Sequence, residues 1–157
     1  MQEFRNFRGW SSETISFCRL EAGRQVVLVT RKQVAMTAAE KAARDVLIAA
    51  EWVGRIADRR YAAETSGTVV SGMPIATDDR SKTLINGAAL WAYRNADYVP
   101  RWKTSEGFVD LPAVQVLAIA DAVSEHVQLC FDREDALLVA VADGSITAER
   151  VEEGWPY

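Results

Sequence analysis

A helix start followed by a long apolar seam constrains this chain more than any other feature. Thr37-Ala38-Ala39-Glu40 has the form of a capping box: the Thr37 hydroxyl accepts from the Glu40 amide, and the Glu40 carboxylate reaches back to the Thr37 amide. Ala39, Ala42, Val46, Ala49, Val53 and Ile56 then alternate at spacings of three and four residues. That is the repeat of one helix face, and it predicts a helix running past Arg60. Half of the seam is alanine, so it suits close packing within one domain or a short coiled coil with a second copy of the chain. Arg55, Asp58, Arg59 and Arg60 read as a solvated face of the same helix.

The chain before Thr37 has a different period. Residues 14–20 alternate apolar and polar side chains, and residues 25–30 are rich in β-branched ones. Gly23 lies between them and can take the positive φ of a tight turn. An N-terminal β-hairpin is predicted within a first segment, 1–36, ahead of a mainly helical domain, 37–157. An isolated hairpin is marginal in water, so it is expected to pack on something else. Phe4, Phe7 and Trp10 precede it, and both core packing and docking on a partner would explain three aromatics there.

Downstream, Ser71-Gly72 between two apolar runs signals a short hairpin over residues 68–75, with Pro74 restricting its strand to an edge. Thr77-Asp78-Asp79 supplies the start of a helix that carries Leu84, Ile85, Ala88, Ala89, Leu90 and Trp91 and ends at Asn95-Ala96-Asp97. Residues 101–104 and 108–109 flank Ser105-Glu106-Gly107 as a further hairpin. Asp110 is the expected cap of the last long helix, with Pro112 in its first turn. Its expected inner face carries Val116, Ala120, Val123, Val127, Cys130, Leu137 and Val141, and Gly144 should stop it. Residues 146–149 start a final helical turn. The predicted class is α+β: an N-terminal β-hairpin, a long helix, short β-hairpins and a C-terminal helical domain.

Composition narrows the chemistry. With 157 residues, 49% hydrophobic and a net charge of −4, the chain can bury a core but lacks the basic field that nucleic-acid binding needs. No run of about 20 apolar residues marks a membrane span, and Met1-Gln2-Glu3-Phe4-Arg5 lacks a signal pattern. The expectation is synthesis in the cytoplasm, with no nucleic-acid or membrane partner. Cys18 and Cys130 are too isolated for a disulfide framework or a zinc cluster and read as buried free thiols.

The single histidine, His126, precedes Cys130 by one helical turn, which makes a thiol hydrolase the one enzymatic alternative. No glycine-rich elbow accompanies the pair, and His126 reads instead as a surface or interface residue. The paired carboxylates Asp78-Asp79, Glu134-Asp135 and Glu152-Glu153 suit helix caps and solvent-facing positions. Gly67, Gly72 and Gly87 match no nucleotide fingerprint. No catalytic, cofactor-binding or metal-binding residue is predicted. Trp91 and Trp102 read as core, whereas Phe4, Phe7, Trp10, Trp155 and Tyr157 are the candidate partner-binding residues.

Four stretches in order give the sequence a family resemblance: residues 71–78, 85–89, 102–109 and 126–134. Over about residues 59–156 the chain resembles a domain of unknown function that recurs in tailed-bacteriophage proteins of tail fibres, baseplates and fibre assembly. The late Gly154-Trp155-Pro156 is similar to endings in that family and in some fibre-assembly proteins. The resemblance implies scaffold roles: Gly72 in a turn, Asp78 at a helix cap, Trp102 and Phe108 in a hairpin. It offers no catalytic residues. It implies a structural virion tail protein, not an enzyme, that links a fibre or receptor-binding protein to the baseplate; a fibre-assembly chaperone is the alternative. Partners would be other tail proteins, or a second copy through the seam from Ala39 to Ile56.

Overall fold

The Thr37 capping box forms as the sequence predicts. The Thr37 amide donates to Glu40 Oε2 at 2.7 Å, and the Glu40 amide donates to Thr37 Oγ1 at 3.2 Å. The architecture is that of a computed structural model, which describes the backbone of residues 10–21, 24–104 and 107–156, and side chains of residues 35–104 and 107–156. It is mixed α and β, with antiparallel hairpins and long helices, as expected. The chain divides into two compact units, Met1–Ala49 and Ala50–Tyr157, and the division falls inside the first helix.

The first unit contains a long hairpin. Strands β1 (Trp10–Glu21) and β2 (Arg24–Ala35) pair antiparallel, from Glu21 opposite Arg24 to Trp10 opposite Ala35. The ladder extends several residues beyond both stretches whose alternation revealed it. Phe4 and Phe7 lie outside the described residues, as do the side chains of Trp10 and Cys18. Helix α1 (Ala38–Glu64) follows. Along its seam Ala39, Ala42 and Val53 are exposed, Val46 is 69% exposed, and only Ile56 is fully buried. The seam therefore packs inside the fold only at its C-terminal end, and Leu47 and Ile48 add to the apolar surface nearby.

In the second unit, β3 (Thr68–Val70) and β4 (Met73–Ile75) form a hairpin with Pro74 opposite Val69. Helix α2 (Asp79–Arg94) follows, capped by Asp78, whose Oδ1 accepts from the amides of Arg80 and Ser81 at 3.1 Å. Strands β5 (Arg101–Thr104) and β6 (Gly107–Asp110) make the next hairpin. Helix α3 (Ala113–Ala142) is the longest element, and α4 (Ala148–Glu152) starts at a Thr147 cap. Asp110 does not cap α3, as it is the last residue of β6. The cap position is Pro112, whose carbonyl accepts from the amides of Gln115 and Val116. Gly144 ends α3 with φ of 76°.

Two apolar clusters hold this unit. In one, Ile85, Ala88 and Ala92 of α2 meet Val116, Ile119, Ala120 and Val123 of α3, with Ile75 and Leu111. In the other, Ile56 and Ala63 of α1 meet Cys130 and Leu137 of α3, together with Val151 and Trp155. The small alanines of α2 let its backbone approach α3 closely. That turns Leu84, Leu90 and Trp91 outward, and Trp91, expected as core, is 61% exposed. Trp102 packs partly buried against the first cluster. Among the described residues α3 alone is long and apolar enough, by length and composition, to cross a membrane, where the sequence reading found no such segment. Within this unit it supplies the buried face of both clusters.

Candidate partner-binding groove

The β3–β4 turn begins the geometry of the site. Ser71 and Gly72 both have positive φ, 52° and 81°, as a two-residue hairpin turn of the right twist requires. The hairpin is tied down from beneath by Thr77. Its buried hydroxyl donates to the Glu64 carbonyl at 2.6 Å and accepts from the Gly67 amide at 2.9 Å. This joins the end of α1 to the segment that enters α2.

Between the two short hairpins and α2 lies an open groove of about 1210 Å³. Val69, Met73 and Pro74 border it on one side, and Arg101, Trp102 and Lys103 on the other. Leu84, Gly87, Ala88 and Trp91 of α2 also line it. Gly87 has no side chain, which keeps the helix surface low, and nothing lies within 4 Å of where one would begin. Trp91 is steadied by Tyr98, with ring centroids 6.4 Å apart. Among the described residues the only charged ones lining it are Arg101 and Lys103, although carboxylates outnumber Lys and Arg over residues 50–157. Exposed apolar surfaces with aromatics and polar edges are a common feature of protein-binding sites. Three of the four stretches that carry the family resemblance contribute to the wall of the groove: residues 71–78, 85–89 and 102–109.

A polar network lies at the junction of α1, α2 and α3. The buried Glu64 carboxylate is paired with both Arg60 and Lys82. Lys82 also reaches Asp79 at 3.1 Å, and the Tyr61 hydroxyl donates to Asp79 at 2.9 Å. Arg60 Nε lies 3.2 Å from the Glu134 carboxylate without hydrogen-bond geometry, so charge alone holds that pair. Burial pushes the Glu64 carboxyl upward, but the hydrogen bonds from Lys82 and Arg60 outweigh it and leave the pKa below the usual range. Burial likewise works against the Lys82 ammonium, yet Glu64 and Asp79 leave its pKa raised. Of the three arginines read as a solvated face, two are structural. Arg60 belongs to this network, while Arg59 pairs with Glu152 at 3.1 Å and covers the Trp155 ring. Sequence reasoning missed both: Glu152 and Glu134 lie on elements distant in the chain, and the pairing of Arg60 with Glu64, one turn on in α1, was not read.

Of the predicted partner-binding residues, Trp155 is the one whose side chain lies among the described residues. Trp155, taken as a partner-binding candidate, is 4% exposed and donates its indole N–H to the Val151 carbonyl at 2.7 Å. It is a core residue, because α4 folds it onto Ile56 and Leu137. Tyr157 lies outside the described residues. His126, expected as a surface or interface residue, is 3% exposed: it occupies the inner face of α3 between Val123 and Cys130. The α3 face turned inward thus runs through His126 and Ala140 rather than through Val127 and Val141, which are half-buried. Cys130 is the buried free thiol that was expected, and burial pushes its pKa up. Among the described residues no group of three or more His, Cys, Asp or Glu could hold a metal ion.

No curated protein and no solved structure shows significant similarity to the chain. A protein family does match, over residues 42–153, which begins earlier than the stretch on which the resemblance was seen. That span takes in most of α1 together with the groove and the polar network, so the chain belongs to the family described as a domain of unknown function, DUF4376.

Proposed function

We propose that this chain is a structural component of a bacteriophage tail, acting by binding other tail proteins and not by catalysis. It would join a tail fibre or receptor-binding protein to the baseplate, after synthesis in the host cytoplasm. The observation that carries the binding role is the groove, where Leu84 and Trp91 present exposed apolar surface beside a cationic rim. The tail setting rests on the resemblance of residues 71–78, 85–89, 102–109 and 126–134 to tail-associated proteins. The buried, upward-shifted thiol of Cys130 speaks against the thiol-hydrolase alternative, since a nucleophilic thiol needs access and thiolate character. A second copy of the chain is a further partner in this reading, through the exposed part of the α1 seam around Val46.

The test is quantitative mass spectrometry of purified particles against a tail protein of known copy number. A fixed ratio is the expected result. Abundance in infected cells with absence from particles would replace this reading with a fibre-assembly chaperone, which the similarity of Gly154-Trp155-Pro156 to endings of such proteins favours. Deleting the residues before Thr37 should abolish incorporation while the second unit stays folded; normal incorporation of that truncation would remove the docking role of the first segment.

A further inference from the structure

The groove has strand edges along its walls. The β3–β4 and β5–β6 hairpins are separate two-stranded sheets, so among the described residues β5 has a strand neighbour on one side only. All four residues of β5 line the groove and none of β6 does, which places the groove on the side of β5 away from its partner strand. A strand edge with no neighbouring strand, beside an apolar trough, is a template for an added strand. Side chains alternate along β5: Arg101 and Lys103 are exposed, whereas Trp102 is half-buried against the core. The two cations therefore repeat at strand spacing on one face, with no carboxylate among the described lining residues of an otherwise acidic unit.

We propose that the groove takes an extended segment of a partner protein, added as a strand along β5, in which acidic and apolar side chains alternate. The acidic ones would meet Arg101 and Lys103, and the apolar ones would lie over Leu84 and Trp91. Alternation is demanded by the period of two, which sends successive side chains of an added strand to opposite faces. The proposal rests on the reading that the chain works by binding protein, and it names the class of partner segment.

The experiment is a fluorescence-polarisation titration of the full chain with a labelled short peptide alternating valine and glutamate. Saturable binding is expected, weaker by about tenfold or more when lysine replaces glutamate, and lost when alternate valines become proline. Reversing the rim, Arg101→Glu with Lys103→Glu, should invert the preference in favour of the lysine peptide. A misfolded variant would lose both peptides, so inversion separates a binding role from a structural one. Equal affinity for the two charges, unimpaired binding of the proline peptide, or no binding at all would overturn the proposal. So would concentration-dependent self-association abolished by Trp91→Ala, which would make a second copy the occupant. Peptide binding by a chain absent from particles would leave the groove assignment standing and remove only the tail reading.

Discussion

His126 Nε2, in the middle of α3, lies 3.2 Å from the carbonyl oxygen of Ala63 at the end of α1. The same carbonyl also accepts from the Ser66 amide at 3.2 Å and the Ser66 hydroxyl at 2.8 Å. Facing an acceptor, Nε2 carries the proton, and the buried Nδ1 is left without a hydrogen-bond partner. The imidazole therefore contributes volume more than hydrogen bonding, since Ala63 keeps two donors without it. His126→Ala should destabilise the chain by about 2–3 kcal/mol through the cavity it leaves. His126→Leu should cost no more than about 1 kcal/mol, since it fills the space and removes the unpaired nitrogen. Urea-unfolding midpoints of the two variants check this; equal losses would show that the hydrogen bond dominates.

Thr77 makes the opposite case. Its fully buried hydroxyl both donates to Glu64 and accepts from Gly67, so the isosteric Thr77→Val leaves the Gly67 amide without that acceptor. A loss of about 1–3 kcal/mol is expected, with Thr77→Ser retaining most of the stability. Thermal unfolding of the two variants gives the comparison.

The Glu64 network predicts a pH profile. The folded-state pKa of Glu64 is lowered, so its contribution is present above the ordinary carboxylate pKa of about 4.3 and is lost as pH falls through the folded value. Lys82 is raised, so its contribution is complete below about pH 10.4 and is lost as pH climbs through its folded value. Glu64→Gln should cost about 2 kcal/mol at neutral pH by leaving Arg60 and Lys82 half-paired. It should also flatten the acid limb of a stability–pH curve measured by urea unfolding. An unchanged acid limb would mean that exposed carboxylates such as Asp78 dominate it.

Two substitutions should stabilise. Ser71 holds a positive φ that asparagine tolerates better, so Ser71→Asn should add a few tenths of a kcal/mol or more. Gly87 lies inside α2 with open space around it, and Gly87→Ala should add about 0.5–1 kcal/mol by helix propensity. Both are read as upward shifts in melting temperature, and the valine–glutamate peptide should still bind the Gly87→Ala variant, since one methyl leaves the trough open.

Local signals were legible in the sequence because their physics is local. The capping box, the Ser71-Gly72 turn, the Asp78 cap and the Gly144 stop each depend on a few consecutive residues, and each forms as read. The three hairpins followed from local sequence as well, although Gly107, read as part of the last turn, opens β6 opposite Thr104. The groove was not legible. It arises because alanines on α2 draw that helix onto α3, which turns Leu84 and Trp91 outward between two hairpins remote from each other in sequence. Hydrophobicity alone does not say which of two apolar helix faces is inward; the shape of the opposing surface does. Tertiary packing likewise decided that His126 and Trp155 are core residues and that Arg59 and Arg60 have fixed partners, because each meets side chains contributed by another element.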